Sequence, residues 1–312
     1  MSKELVTIIV PMYNHEKYII DCLESIKNQT YNKIELLIAD DCSSDNSFNL
    51  ASKWVKENKE CFIRCELSKN ERNIGVVKSM NGLVKRARGG YIKSIASDDM
   101  LLTNAIESLV NSLKADDDLV CGNGVIIDEN AHYPLDNKDI KGNYYSRFKR
   151  KFKFDKVFNE NGILAPGVLF RTSTFEEYGL FSEECEFEDW EYWIRILSRG
   201  GKISYLKEKV VAYRSVTTSL CRFGNSEEEK KRLERVAENN ISMLDYYAQG
   251  ANFSSNRYRN SVVSMAINQG NDKLIKKIVE SPDFKFKPLY YIKYLLYVFS
   301  KRARSNTNKE NR

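Results

Sequence analysis

Strand-like and helix-like patterns of hydrophobic residues alternate through the first half of the chain. Residues 6–10 are β-branched at every position, which is typical of a strand buried on both faces, and Pro11 is predicted to end it. Between such runs, apolar residues recur at helical spacing, as at Leu83, Val84 and Ala87. This alternation predicts an α/β fold, with a mostly parallel sheet and helices on both faces. The strand patterns cover, in order, residues 6–10, 34–39, 62–67, 91–96 and 119–127.

The second half of the chain has a less regular pattern. Residues 141–158 are basic and aromatic with no clean period, so we predict a long loop there. A helix is predicted over residues 189–198, and two short strands are predicted at 203–206 and 210–213.

Strand patterns stop after about residue 221. Residues 226–247 predict a charged amphipathic helix, and shorter helices are predicted to follow it. We therefore divide the chain into an α/β domain over residues 1–222 and a helical C-terminal extension over residues 223–312.

The positive charge of the chain is concentrated at its C-terminal end. The net charge is +6, and residues 281–312 contain eight Lys and Arg against two Asp and Glu, so this segment carries all of it. The remainder is neutral overall. A nucleic-acid-binding protein would carry its basic patch on the folded body, so we expect no nucleic-acid partner.

The basic tail also alternates aromatic and aliphatic residues. A helix beginning near Pro288 would bring Tyr291, Leu295, Val298 and Phe299 near one another, with basic residues beside them. Such a segment can contact the anionic surface of a membrane as a peripheral element. Packing of the same helix against the α/β domain is an equally good interpretation.

Composition excludes several classes of protein. The chain has 312 residues, of which 42% are hydrophobic, so it can bury a core and is not disordered. Its longest apolar stretches are too short to span a bilayer, and its first residues carry no signal-like apolar core, so we expect a cytoplasmic protein. The seven cysteines form no C-x-x-C pair and are expected to be reduced. His15 and His132 are isolated in the sequence, and we assign them no role.

Two carboxylate pairs come directly after predicted strands. Asp40 and Asp41 follow the second strand, and Asp98 and Asp99 follow the fourth. Ligands of parallel α/β sheets bind beyond the carboxyl ends of the strands, so both pairs are predicted to border a ligand site. The alternative for each pair is a capped turn at the start of the next helix.

Of the two carboxylate pairs, Asp98–Asp99 is the stronger indication of a ligand site. Adjacent carboxylates repel each other unless a cation or a hydrogen-bond donor offsets their charge. Mg²⁺ and Mn²⁺ take oxygen ligands and bridge to phosphate oxygens. A third acidic cluster, residues 188–191, begins a predicted helix, where acids are ordinary. It becomes functional only if it faces the other two.

Several short motifs occur in the order and spacing of a known enzyme family. Over roughly residues 5–220 they resemble the inverting glycosyltransferases of family 2, which have the GT-A fold. One such motif alone is weak evidence, whereas six or more in register are specific. The matching segments are Val6–Asn14, Ser25–Thr30, Asp40–Asp45, Asn73–Gly75 with Asn81, Ala96–Asp99, Glu188–Asp189 with Trp193 and Arg195, and Tyr213–Arg214.

The resemblance implies a role for each matching residue around the nucleotide. Tyr13 would lie against the base, and Pro11 would shape the turn that carries it. Asp41 would accept an N–H of the base, and Asp98 would contact ribose or phosphate. The resemblance therefore implies a nucleotide-sugar donor, most commonly a UDP-sugar.

The resemblance also implies the chemistry. Asp99 would hold Mn²⁺ or Mg²⁺ on the diphosphate, and Asp189 would act as the general base on the acceptor hydroxyl. Two departures reduce the match. Ala96 replaces the first acid of the fuller "D-x-D-D" pattern, and Val216 stands where the family often has a histidine.

These observations lead to one main hypothesis and two rivals. The main one is a metal-dependent, inverting hexosyltransferase-type enzyme of surface polysaccharide biosynthesis. It would act on a glycan or a lipid-linked acceptor at the inner face of the cell membrane. A nucleotidyltransferase would need a Gly-rich, basic loop after the first strand, and residues 12–16 offer neither. The other rival is a non-catalytic protein that binds nucleotide-sugars or acts as a membrane adaptor.

Overall fold

A computed structural model describes most of the chain, and its described residues belong to two compact units. The described residues are 4–144, 152–185, 187–215, 226–249 and 254–298. The first unit comprises Met1–Val157, Asn161–Glu183 and Glu188–Thr217, and the second comprises Phe158–Glu160, Glu184–Phe187 and Thr218–Arg312. The predicted division at residue 222 falls outside the described residues and stays a prediction.

The strands of the described residues form one mixed sheet. Its order is β3-β2-β1-β4-β8-β6-β9-β5, and β7 pairs with β6. The strands β1 to β4 are mutually parallel, whereas β8 is antiparallel to both of its neighbours, β4 and β6. The strands are β1 (Val6–Met12), β2 (Ile34–Asp40), β3 (Arg64–Lys69), β4 (Tyr91–Ser94), β5 (Met100–Leu101), β6 (Leu119–Ile127), β7 (Ile140–Tyr144), β8 (Val168–Arg171) and β9 (Ile203–Arg214).

Helices follow most of the strands and dominate the C-terminal part of the chain. They are α1 (Ile19–Lys27), α2 (Ser47–Asn58), α3 (Val76–Val84), α4 (Ala105–Ser112), α5 (Phe154–Asn159), α6 (Thr172–Tyr178), α7 (Glu188–Ser198), α8 (Glu227–Ala248), α9 (Asn256–Gln269), α10 (Asp272–Val279) and α11 (residues 288–298). A 3-10 turn at Ala165–Gly167 leads into β8.

Both faces of the central strand β1 are covered. Ile8 and Val10 pack in one hydrophobic cluster with Leu23 of α1 and Ile106 of α4. Ile9 points to the opposite face, because side chains alternate along a strand, and it is also fully buried. The α/β prediction is confirmed, and the sheet is more mixed than the sequence indicated because the strands of the second half join it in both directions.

The sequence pattern predicted that Pro11 ends the first strand, and this prediction was wrong. Pro11 lies inside β1 and pairs with Ala39 of β2. The backbone groups of Ile9 and Pro11 point toward the same neighbouring strand, β4. The Ile9 carbonyl accepts a hydrogen bond from the Ile95 N–H, just after β4. β4 pairs with β1 only as far as Ile9, so the missing N–H of Pro11 costs no ladder bond there.

Two further predictions in the second half were wrong. The two short strands at 203–206 and 210–213 are one strand, β9, whose pairing with β6 is irregular in the middle. The basic stretch 141–158 is not a loop throughout, because β7 ends in it and α5 begins in it. Residues 145–151 of that stretch lie outside the described residues.

The second unit has a helical core of its own. Leu233 of α8, Val262 of α9 and Ile275 of α10 lie in one buried cluster. Tyr294 and Tyr297 of α11 pack against that cluster. Among the described residues, no helix combines the length and the apolar character needed to cross a bilayer.

Candidate active site

The candidate residues of the first four strands lie at one edge of the sheet. β1 has β2 and β4 as parallel neighbours, so the carboxyl ends of all three strands point the same way. Tyr13 follows β1, Asp41 follows β2, and Asp98–Asp99 follows β4 by a short turn. The structure thus brings together the residues that the sequence predicted at this edge.

Tyr13 is available for contact with a ligand. Its side chain is 44% exposed, which is unusual for a large aromatic residue next to a buried strand. The loop that carries it is fixed from the β2 side, because the Asn14 N–H donates to Ser43 Oγ at 2.9 Å and the Ser44 N–H donates to Asn14 Oδ1 at 2.9 Å. The backbone next to the exposed Tyr13 ring is therefore held in place.

Asp41 organises the loop that precedes α3. Its Oδ1 accepts from Asn70 Nδ2 at 2.8 Å and from the Ile74 N–H at 2.9 Å, and its Oδ2 accepts from the Gly75 N–H at 2.8 Å. Gly75 has a φ of 91°, which favours glycine. Two motifs that are far apart in the sequence, Asp41 and Asn73–Gly75, are thus one hydrogen-bonded unit. Asp41 is 3% exposed, and these three bonds use three of the about four lone-pair sites of its carboxylate.

The two carboxylates after β4 have different environments. Asp98 is half-buried, whereas Asp99 is 1% exposed. Asp99 Oδ1 accepts from the Arg214 N–H at 2.8 Å, and its Oδ2 is buried without a hydrogen-bond partner. Burial, and then the charge of Asp98, raise the pKa of Asp99 well above its usual value, against the opposing effects of Arg214 and Lys93.

Arg214, the last residue of β9, is buried directly behind this turn. Its Nε donates to the Asp98 carbonyl at 2.7 Å, and its Nη1 donates to the Ala131 carbonyl at 2.6 Å. Its guanidinium lies 4.7 Å from the centre of the Tyr18 ring at the start of α1. One cation therefore ties the Asp98–Asp99 turn to the segment after β6 and to α1.

Lys93 of β4 is a second buried basic side chain near the pair. Its Nζ donates to the Ser94 carbonyl at 2.5 Å and to the Pro166 carbonyl at 2.6 Å. Burial lowers its pKa to about 7, against the opposing effect of the Asp99 charge. Lys93 therefore joins the end of β4 to the turn that leads into β8.

Asp189 is the second residue of α7 and is half-buried. Its Oδ1 accepts from the Trp190 N–H at 2.6 Å, and its Oδ2 accepts from Asn161 Nδ2 at 3.0 Å. Desolvation raises the pKa of Asp189, and the Asn161 bond opposes that effect. A carboxylate with a raised pKa in a partly open position is suited to accept a proton.

The structure ties Asp189 to the same edge of the sheet through an intermediate segment. Asn161 precedes the Ala165–Gly167 turn, whose Pro166 carbonyl is bonded to Lys93 of β4. The helix itself is fixed by Trp193, which stacks on Phe170 of β8 with ring centres 5.6 Å apart. A direct approach of Asp189 to the other carboxylates stays a prediction.

Sequence reasoning missed several residues of this region. His15, treated as isolated, contacts Ser97 Oγ through its Nδ1 at 2.7 Å, one residue before Asp98. His132, also treated as isolated, contacts Asp21 of α1 at 2.9 Å. Asn161 was not singled out either. Their partners are between 28 and 111 residues away along the chain, so no local pattern could have indicated these contacts.

Comparison with known proteins identifies the family of this chain. The sequence profile of the family described as Glycosyl transferase family 2 matches residues 7–179. The chain is 28% identical to glycosyltransferase GlyG of Streptococcus pneumoniae serotype 4 over 226 residues, 70% of this chain and 73% of the relative. It is 23% identical to the amylovoran biosynthesis glycosyltransferase AmsE of Erwinia amylovora over 219 residues, 67% and 76% of the two chains.

Solved structures show the same fold. S. aureus TarS 1-349 in complex with UDP has a TM-score of 0.60 at 19% identity, over 86% of this chain and 72% of that one. The mannosyltransferase PcManGT of Pyrobaculum calidifontis, in complex with GDP-Man and Mn²⁺, has a TM-score of 0.55 at 15% identity, over 89% and 74%. The chain therefore belongs to glycosyl transferase family 2 and has the GT-A fold.

Proposed function

We propose that this glycosyltransferase moves a sugar, with inversion, from a UDP-sugar to a hydroxyl group of a glycan or lipid-linked acceptor in surface polysaccharide biosynthesis. The observation that carries the proposal is the edge of the sheet where the exposed Tyr13, the Asp41-bound loop and the Asp98–Asp99 turn lie together. An aromatic face can stack on a base, a carboxylate can accept from a base N–H, and a carboxylate pair can hold a divalent cation on a diphosphate. The name of AmsE supports a role in polysaccharide synthesis.

Asp189 acts as the general base in this proposal. The acceptor oxygen attacks the anomeric carbon while its proton passes to the Asp189 carboxylate. The bond from the anomeric carbon to the diphosphate oxygen breaks, and its electron pair leaves with the nucleoside diphosphate. Attack from the face opposite the leaving group inverts the configuration, so no covalent sugar–enzyme intermediate is required. Asn161 holds the carboxylate in position through its bond to Oδ2.

The Asp98–Asp99 turn fits a divalent cation in part. Asp99 Oδ2 is a buried oxygen without a partner, and Asp98 presents a half-buried carboxylate. The described residues contain no group of three or more His, Cys, Asp or Glu side chains that could hold a metal ion. Oxygens of the donor diphosphate would therefore complete the site. A bound Mn²⁺ or Mg²⁺ would neutralise charge on the departing diphosphate.

The resemblance assigns the metal to Asp99, and the exposure of the two side chains makes Asp98 a second candidate. Asp99 has one oxygen bonded to Arg214 and both oxygens enclosed by protein. Asp98 reaches the surface of the sheet edge more openly. PcManGT, which was solved with Mn²⁺, supports a divalent ion for the family but not a particular ligand in this chain.

The choice of UDP over other nucleotides belongs to the proposal as well. Solved neighbours carry UDP in one case and GDP-Man in another, so the fold accepts more than one base. Thermal unfolding of the purified chain with Mn²⁺ and a panel of nucleotide-sugars tests this point. A ligand that binds the native state raises the melting temperature, and we expect the largest rise with a UDP-sugar.

Replacement of Asp189 by Asn tests the catalytic proposal. We expect sugar transfer to fall by at least about a hundredfold, the range of a lost general base, while thermal stabilisation by donor and Mn²⁺ is kept. Asp116→Asn is the matched control, because this carboxylate is exposed and pairs with Lys202. Unchanged transfer in Asp189→Asn would remove the base assignment. A wild-type chain that binds donor but transfers to no acceptor would favour the non-catalytic alternative.

A further inference from the structure

Helix α11 carries an apolar stripe on its exposed side. Leu289, Ile292 and Leu296 are 76%, 56% and 66% exposed. Their spacing of three and four residues places them on one face of the helix. No other described part of the chain covers this face, which we call the α11 stripe.

The other side of α11 is anchored to the second unit. Tyr294 packs with its ring 5.0 Å from that of Phe286, and Tyr294 and Tyr297 contact the buried cluster of α8, α9 and α10. Lys293 Nζ donates to Ser264 Oγ of α9 at 2.6 Å. The helix is therefore held with a defined orientation, and the stripe faces outward because the core side is already occupied.

The segment that contains the stripe is basic in sequence. Lys285 and Lys287 precede α11 and are exposed. Residues 281–312 carry a net charge of +6, whereas the rest of the chain is neutral. An apolar strip among cations is complementary to a surface that offers acyl chains beneath anionic headgroups. A purely apolar protein partner would leave these charges without counterparts.

We propose that the α11 stripe docks on an anionic lipid bilayer, with Leu289, Ile292 and Leu296 inserted at the level of the headgroups and the neighbouring lysines against lipid phosphates. This contact is peripheral and holds the chain on the surface of a membrane. It is independent of the proposed sugar transfer, because it uses neither the sheet edge nor Asp189. Each Lys or Arg near such a surface raises partitioning roughly fivefold.

Sedimentation of the full chain with vesicles tests the proposal. We expect binding to vesicles of phosphatidylcholine with phosphatidylglycerol, weaker binding to phosphatidylcholine alone, and a loss of binding in high salt as the charges are screened. The variant Leu289→Ser/Ile292→Ser/Leu296→Ser should bind at least about tenfold more weakly. The control Ile63→Ser/Tyr246→Ser, at sites 64% and 66% exposed elsewhere, should bind like the wild type.

A second measurement reports the position of the stripe directly. Ile292→Trp should show a blue shift of fluorescence and quenching by brominated acyl chains when anionic vesicles are added, since the native tryptophans 54, 190 and 193 are buried. Failure of the wild type to bind anionic vesicles, or binding of the triple-serine variant equal to that of the wild type, would overturn the proposal. A dimer that only the wild type forms, without vesicle binding, would assign the stripe to a protein contact instead. Asp189→Asn should bind vesicles normally.

Discussion

The Asp98–Asp99 pair shows how the chain stabilises adjacent carboxylates from within. The sequence indicated that a cation or a donor must offset their repulsion, and the structure supplies Arg214 and Lys93, both buried. The Arg214 main-chain N–H and side chain hold opposite sides of the turn, through Asp99 Oδ1 and the Asp98 carbonyl. The shape of the turn is therefore maintained by the protein itself.

Loss of the Arg214 guanidinium should destabilise the first unit. Arg214→Met leaves the carbonyls of Asp98 and Ala131 without their donor and removes one of the two buried positive charges that act on Asp99, so we expect a cost of about 3–5 kcal/mol in the free energy of unfolding. Urea denaturation followed by circular dichroism measures it. Arg257→Met is the control, since this half-exposed arginine pairs with Glu160 and should cost less than about 1 kcal/mol. Equal costs would contradict the role of Arg214.

The variants Asp98→Asn and Asp99→Asn should show which of the two carboxylates binds the metal and which has a structural role. We expect Asp98→Asn to raise the Mn²⁺ concentration for half-maximal transfer more than about tenfold, because Asp98 is the more accessible carboxylate. Asp99→Asn keeps an oxygen for the Arg214 N–H and should have the smaller effect on Mn²⁺. The reverse order in Mn²⁺ titrations of the two purified variants would support Asp99 as the ligand.

The positions of the candidate site residues next to strand ends could be predicted from the sequence. The residues that hydrogen-bond to them could not. Tyr13, Asp41 and Asp98 lie where the strand pattern indicated, because parallel strands end at one edge. Arg214 matches a family motif, but the sequence did not indicate its contacts. Arg214 and Asn161 act through partners 115 and 28 residues away, and contact at that separation leaves no periodic signal. The catalytic assignment of Asp189 stays a prediction for the same reason.

At the level of elements, long apolar runs were predicted well and short or interrupted ones were not. The run at 119–127 coincides with β6. β8 has only four residues and was missed. β9 was divided in two because the exposed residues Lys207, Glu208 and Lys209 interrupt its apolar pattern, while hydrogen bonding continues on either side of an irregularity.

The Ser25–Thr30 motif at the end of α1 has a structural role. Gln29 Nε2 donates to the Leu102 carbonyl at 2.9 Å, and its Oε1 accepts from the Ile106 N–H at 3.1 Å. Ser25 Oγ accepts from the Leu101 N–H at 3.0 Å. The Ser25–Thr30 segment therefore fixes the chain that leaves the Asp98–Asp99 turn, which accounts for its residue types without a substrate contact.

Asn161, in the segment before β8, should set the pKa of the proposed base Asp189. The Asn161 amide stabilises the charged form of Asp189 and lowers its pKa, so Asn161→Ala should raise that pKa. The base must be unprotonated, so the acid limb of the kcat/KM profile should move to higher pH. Asn104→Ala, at an exposed position, should leave the profile unchanged. A limb that stays in place or moves to lower pH would contradict the role of Asn161.

For the whole molecule, every candidate site residue belongs to the first unit. Hydrogen exchange with a UDP-sugar and Mn²⁺ should therefore slow in residues 13–15, 70–75 and 97–99, and stay unchanged in α8 to α10. Mn²⁺ alone serves as the control, because the diphosphate is needed to complete the metal site. Protection confined to the helical unit would place the donor elsewhere and contradict the proposed site.

The reversed direction of β8 has a consequence for how this enzyme could diversify. The chain leaves β4 and enters β8 at the same end of the sheet, because the two strands are antiparallel neighbours. In the proposed site, the end of β4 contributes to holding the nucleotide, whereas the Ala165–Gly167 turn beside it belongs to a separate stretch between β6 and β8. Exchange of that stretch between relatives should redirect the sugar to new recipients, with the activated sugar and its carrier left unchanged.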